Sequence, residues 1–176
     1  MPTEDEDTEL RWERLALVRV DDRFLHGQVT LNWARALRPQ RIVIADDTLA
    51  GDELGRAALR AAQPPGIDIW VGAVGEAASA FLDGRLPLDG TIVLVRDPQS
   101  ARRLFDSGIQ YERLNVGAVG GAPDRARIGQ QVSVSRIEWE ALRYLERAGV
   151  DVELQALPSD GAVTLAKVRQ PREWAD

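Results

Sequence analysis

Thr91-Ile92-Val93-Leu94-Val95 is an uninterrupted apolar, β-branched run of strand length, closed by Arg96-Asp97-Pro98. It lacks the polar alternation of a strand with one wet face, so both of its faces must be covered. That is the situation of a strand inside a parallel sheet flanked by helices. Ile42-Val43-Ile44, within Arg41 to Ala45, has the same character. Outward from these two runs, further candidate strands are Leu15 to Val20, Ile67 to Val71, Arg113 to Val116, Gln131 to Val134 and Asp151 to Leu157. The last of these alternates and reads as a sheet edge. Strands separated by longer helical patterns give an α/β rhythm. The expected fold is therefore a single α/β domain whose open, mostly parallel central sheet of about seven strands carries helices on both faces.

The helices carry their own punctuation. Asp97-Pro98 supplies a cap and a first-turn proline, Ala101, Leu104 and Phe105 form an apolar stripe, and Gly108 closes the helix. Ser135 and Glu138 form a capping box ahead of Ile137, Ala141, Leu142 and Leu145, with Gly149 as the stop. Another helix runs from about Asp52 to Gln63 and ends at Pro64-Pro65-Gly66. A fourth begins near Gly27, with Val29, Trp33, Ala36 and Leu37 on one face, which assigns Trp33 to the core.

Composition removes many functions. The 176 residues include no cysteine and one histidine, His26, which excludes disulfide scaffolds, cysteine nucleophiles and zinc sites built on Cys or several His. The net charge of −6 is concentrated at the start, where residues 1–10 hold five acids and no base. The remainder is close to neutral, so there is no electrostatic footprint for nucleic acid. Residues 1–13 read as an acidic, flexible extension, 14–170 as the folded domain and 171–176 as a tail. No apolar run approaches the roughly 18 residues needed to span a bilayer, which makes a cytoplasmic location the expectation.

In open α/β sheets, reactive groups gather where a strand ends and its loop enters a helix. The first such loop is Asp21-Asp22-Arg23-Phe24-Leu25-His26-Gly27-Gln28. It joins the only histidine to a guanidinium, two carboxylates and a glycine. A neutral imidazole can attack a phosphoryl group, Arg23 can offer a planar fork to its oxygens, and Asp21 or Asp22 can orient the ring. A histidine in this place also suits a polar cap bonded to the backbone, and the residues alone leave both readings open. Asp46-Asp47 suits a helix cap ahead of Thr48 better than a metal site. Asn115-Val116-Gly117 with Gly120 and Gly121 suits either an anion-binding nest or tight turns. A receiver domain fails for want of an acid after Ile69-Trp70-Val71 and of a lysine other than Lys167. G-x-G-x-x-G, G-K-[ST] and G-x-S-x-G are all missing from the sequence.

The succession Val18-Arg19-Val20-Asp21-Asp22-Arg23-Phe24-Leu25-His26-Gly27-Gln28-Val29, Arg41 to Asp47, Pro64-Pro65-Gly66 and Leu114-Asn115-Val116-Gly117 resembles the IIB component of the mannose/fructose/sorbose family of the bacterial phosphoenolpyruvate-dependent sugar phosphotransferase system. The likeness runs from about Leu15 to Val168. It implies a phosphocarrier in which His26 accepts a phosphoryl group from a IIA component and passes it to a sugar imported by membrane components IIC and IID. It further implies that Arg23, Gly27 and Gln28 surround that group, that no metal or other cofactor is needed, and that any membrane association is peripheral, through those partners. Acceptance by a neutral imidazole should fade as pH falls through the histidine titration. A regulatory histidine-phosphorylated module without a transporter is the alternative, a plain ligand-binding domain a more distant one, and homo-oligomerisation stays open.

The chain departs from the family after Asn115-Val116-Gly117. Relatives carry Gly-Met and then an aromatic, a basic residue and a lysine, whereas Ala118-Val119-Gly120-Gly121-Ala122-Pro123-Asp124-Arg125-Ala126-Arg127 stands here. Arg125 or Arg127 is the candidate replacement for the basic group.

Overall fold

The computed structural model describes residues 15–174, so the expected acidic extension lies outside the described residues. Strands β1 (Leu17–Asp21), β2 (Arg41–Ala45), β3 (Asp68–Gly72), β4 (Thr91–Val95), β5 (Arg113–Ala118) and β8 (Asp151–Leu154) form a parallel sheet in the order β3-β2-β4-β1-β5-β8. A short antiparallel β9 (Val163–Thr164) completes seven strands at the β8 edge. The apolar runs that lacked alternation occupy the interior, and every residue of β4 is buried.

Alternate residues of these strands feed two cores. Val18, Val20, Val43, Ala45, Val93, Val95, Leu114 and Val116 meet α4 (Val74–Leu82), α5 (Pro98–Asp106) and α6 (Arg136–Arg147). Ile42, Ile44, Ile92 and Leu94 face the other way, where Phe24, Val29, Leu49 and Leu59 pack on them. These last come from the first loop, from the helix after it, and from α2 (Asp47–Gly51) and α3 (Glu53–Ala61). Helices on both faces follow from strands apolar on both sides.

Caps formed where the sequence indicated. The Asp97 side chain accepts from the Ser100 amide at 2.7 Å, and Gly108 adopts φ 103° at the end of α5. Ser135 and Glu138 exchange side-chain and backbone hydrogen bonds across the first turn of α6. Asp46 caps α2 by accepting from the Leu49 amide at 2.8 Å.

Four details differ from expectation. Gln131 to Val134 does not join the main sheet: β7 (Ser133–Val134) pairs with β6 (Ala126–Arg127) in a separate ribbon. The alternating Asp151–Leu154 strand is covered by β9, whose two residues are too few to show a period in the sequence. The helix after Gly27 opens with a π-helical turn, Gln28–Trp33, before α1 (Ala34–Leu37). Each π bond spans one residue more than an α bond, which shifts the buried stripe to Val29, Trp33 and Ala34 and leaves Ala36 and Leu37 exposed. Finally, α4 was not anticipated. Its buried face is chiefly small (Ala77, Ala78 and Ala80 beside Phe81), a weak periodic signal, although Glu76 accepting from the Ala73 amide marks its start.

Candidate active site

The pairing of β1 with β5 builds the foundation of the site. Arg19 and Asp21, two residues apart, share one sheet face, and both side chains are fully buried in contact at 2.9 Å. A buried ion pair is tolerable only when its remaining hydrogen-bonding capacity is met. Arg19 meets it by donating to Asn115 Oδ1 on β5 and to the backbone carbonyls of Gln155 (3.0 Å) and Ala156 (3.2 Å) beyond β8. Its guanidinium lies 5.2 Å from the ring centroid of Trp33, whose indole N–H donates to the Ala156 carbonyl at 2.9 Å. Burial pushes Arg19 below the ordinary arginine range and Asp21 opposes that push; an arginine in this setting remains a cation.

Gly117 makes the arrangement possible. The β1–β5 register slips after Val20↔Val116, so that Asp21 pairs with Ala118 and Gly117 is the extra residue. A Cβ at position 117 would stand 1.9 Å from Arg19 Cζ.

The loop then turns sharply back over this pair. Phe24 takes a left-handed conformation (φ 51°), costing about 1–2 kcal/mol for a residue with a Cβ. Burial of its ring offsets that cost: Phe24 is 5% exposed, packs on the second core and lies beneath the Arg96 guanidinium at 4.9 Å. The turn delivers His26 to Asp21, with Nε2 3.0 Å from Oδ2, while the Arg23 amide donates to Oδ1 at 3.2 Å. The imidazole is 18% exposed and so stays reachable from solvent. The Arg23 side chain is 47% exposed, with Nε 3.7 Å from Asp21 Oδ1. Gly27 precedes the first amides of the π-turn, a helix start where backbone N–H groups lack intrahelical acceptors.

A second ring of charges surrounds this centre. Asp22 accepts from the Gly120 amide at 2.6 Å, so this amide serves a carboxylate of the first loop. Arg125 donates to the Gly120 carbonyl at 2.8 Å and forms a two-pronged pair with the buried Glu138. Burial opposes the Arg125 charge, but Glu138 and Asp22 outweigh it and hold the guanidinium above its ordinary range. Arg127 turns away instead, to the carbonyls of Gly129 and Gln130. On the other side Arg96 forks onto Asp46 at 2.8 and 3.0 Å. Burial pushes the Asp46 carboxyl up, yet the Arg96 and Leu49 hydrogen bonds hold it below the usual carboxylate range. Asp47 is lowered by Arg103 and by the Val74 amide, so both carboxylates are engaged by protein donors.

The structure thus gathers Asp21, Arg23, His26 and Gly27 at one point; Gln28 opens the following helix. Of the two candidate orienting carboxylates, Asp21 bonds the ring and Asp22 bonds Gly120. Sequence reasoning missed Arg19 and Trp33 as parts of the site, and read Gly117 as part of a nest or turn where it makes room for the Arg19 guanidinium. The signal for Arg19 was present, a charged residue two positions before an aspartate inside an apolar strand.

Residues 15–174 match the family model described as "PTS system sorbose subfamily IIB component". The chain belongs to this family. The sorbose-specific EIIB component of Klebsiella pneumoniae is 30% identical over 152 residues, which cover 86% of this chain and 93% of that protein. The mannose-specific EIIAB component of Escherichia coli is 26% identical over 146 residues, covering 83% of this chain and 45% of that longer protein. Among solved structures, the IIBSor domain of the Klebsiella pneumoniae sorbose permease superposes with a TM-score of 0.81 at 31% identity, covering 86% of this chain and 93% of that one. The protein is therefore a IIB component of the sugar phosphotransferase system, a transferase of sugar transport. Among the described residues, no helix is long and apolar enough to cross a membrane.

Proposed function

We propose that the chain is a phosphocarrier in which His26 takes a phosphoryl group from a IIA component and delivers it to a sugar during uptake through IIC and IID components. The observation that carries this reading is the 3.0 Å contact between His26 Nε2 and the buried Asp21 carboxylate. A carboxylate accepts, so Nε2 carries the proton and the lone pair resides on Nδ1. Nδ1 attacks phosphorus as the donor's phosphorus–nitrogen bond breaks. In the second transfer a sugar hydroxyl oxygen attacks, the Nδ1–phosphorus bond breaks to release the imidazole, and the hydroxyl proton passes to the freed Nδ1 or to water.

Phosphoryl transfer depends on alignment and charge neutralisation more than on covalent assistance. Asp21 aligns the ring and is itself held by Arg19. Arg23, half-exposed beside the ring, and the amides at Gly27 and Gln28 provide positive charge for the phosphoryl oxygens. Arg125, anchored beside Asp22 through Gly120, is the better candidate than Arg127 for the family's basic loop residue. The donor is inferred from a relative whose own name, EIIAB, couples the two components. With the sugar presented by IIC and IID, the chain works in the cytoplasm and meets the membrane only through them.

Incubation with phosphoenolpyruvate, the general phosphotransferase proteins and a cognate IIA, followed by mass spectrometry, tests the reading. The wild type gains one phosphoryl group and His26→Ala gains none; phosphorylation of His26→Ala overturns it. Sugar phosphorylation in membranes reconstituted with IIC and IID separates a transporter component from a purely regulatory module.

A further inference from the structure

A cavity of about 260 Å³ opens away from the His26 loop, between α6 and the C-terminal segment. It is lined by Arg136, Arg143, Arg147, Glu140, Trp139 and Trp174, together with Gln170. The first four lie four, three and four residues apart on α6, so they form one stripe along the helix. Trp174 is brought to the cavity by the turn Arg172–Trp174, which Gln170 secures by donating to the Trp174 carbonyl at 2.7 Å. The two indoles lie 6.4 Å apart at 44°.

The charges of the stripe are incompletely balanced. Arg136 pairs with Glu140 at 3.2 Å, and Arg143 pairs with Glu146. Arg147 is exposed and has no ion-pair partner among the described residues. It stands one helical turn from Arg143, a spacing at which like charges destabilise a helix. With Glu146 counted, three arginines stand against two glutamates, and the remaining positive charge, centred on Arg147, favours an anionic group such as that of a phosphomonoester. Guanidinium groups match phosphoryl oxygens in planar forks, and indoles supply an apolar wall for the organic part of a ligand. The cavity lies near the lower bound of ligand pockets, roughly 300 Å³, which suits a molecule of monosaccharide size.

We propose that this cavity is a binding site for a small phosphomonoester of phosphorylated-monosaccharide size. Its arginines hold the phosphoryl group and the Trp139–Trp174 wall holds the ring. None of its lining residues belongs to the His26 loop, so the site stands independently of the phosphocarrier reading.

The test is a titration of the full chain with glucose 6-phosphate, followed by NMR of the Trp174 indole N–H, assigned with Trp174→Phe. A saturable shift is expected, weakened at least tenfold in Arg143→Gln/Arg147→Gln, absent with glucose, and unchanged in His26→Ala. Arg147→Gln alone, at an exposed side chain, serves as a variant that keeps the fold, and circular dichroism checks the double variant. Absence of a saturable response overturns the proposal, as does a response indifferent to both arginine substitutions or equal with glucose. A shift produced by phosphatidylglycerol vesicles but by neither glucose 6-phosphate nor inorganic phosphate also overturns it, since the surface would then recognise a lipid.

Discussion

The same face of the same sheet is dry at one end and charged at the other. On β2 and β4 it presents Ile42, Ile44, Ile92 and Leu94, each fully buried under Phe24, Val29 and the residues around them. On β1 and β5 it presents Arg19, Asp21 and Asn115, equally buried but bonded to one another and to carbonyls past β8. Apolar burial contributes stability wherever it occurs. A buried ion pair rarely does, and is best understood here as a device that fixes one carboxylate in one orientation beneath a histidine. The difference teaches that the charged end is built for geometry at the expense of stability.

The contrast breaks most severely at Arg19. Arg19→Met leaves Asp21 buried and unpaired, and a loss of about 3–5 kcal/mol is expected in urea unfolding. Adding Asp21→Leu should restore most of that stability, yet phosphoryl acceptance should stay lost because the ring has no carboxylate. Restored acceptance in the double variant would show that Asp21 does not orient His26.

At the dry end, Leu94→Ala should cost about 2–5 kcal/mol by leaving a cavity, with phosphoryl acceptance per folded molecule unchanged. Gly117→Ala comes next, at about 1–3 kcal/mol, because its Cβ would meet the Arg19 guanidinium at 1.9 Å. Unlike Leu94→Ala, it should also slow acceptance in the transfer assay.

The smallest effect concerns Asp46, whose pair with Arg96 bridges the two ends by covering Phe24. Its carboxyl lies below the usual range in the folded protein, so its contribution is present above the unfolded-state value, near 3.8, and is lost as pH falls through the lower folded value. Asp46→Asn should cost about 1–2 kcal/mol at neutral pH. The gap from wild type should close in thermal melts below the ordinary carboxylate range; a gap constant with pH would count against this pairing.

Strand positions were legible wherever hydrophobicity was local and strong. Arg41–Ala45 and Thr91–Val95 match their expected bounds because each run is apolar on both sides and ends at a cap or turn. Legibility failed where the signal was short or spread over distant residues. The pairings of β6 with β7 and of β9 with β8 involve two residues each, and α4 is held mainly by alanines. At the site, the crowding of His26, Arg23 and two aspartates in one loop was visible at once. That Asp21 rather than Asp22 faces the ring was not, because the choice depends on the left-handed turn at Phe24 and on Gly120 engaging Asp22.

From the chain alone come the α/β rhythm, the helix caps and the loop that holds the only histidine, since each is written in neighbouring residues through periodicity, capping and composition. Folding alone decided that Arg19 would reach Asn115 and the carbonyls of Gln155 and Ala156, because those contacts exist only once β5 lies beside β1 and β8 beside β5. Strand order is a global property of the sheet, settled by which faces can be covered together. The charge network beneath His26 inherits its geometry from that order.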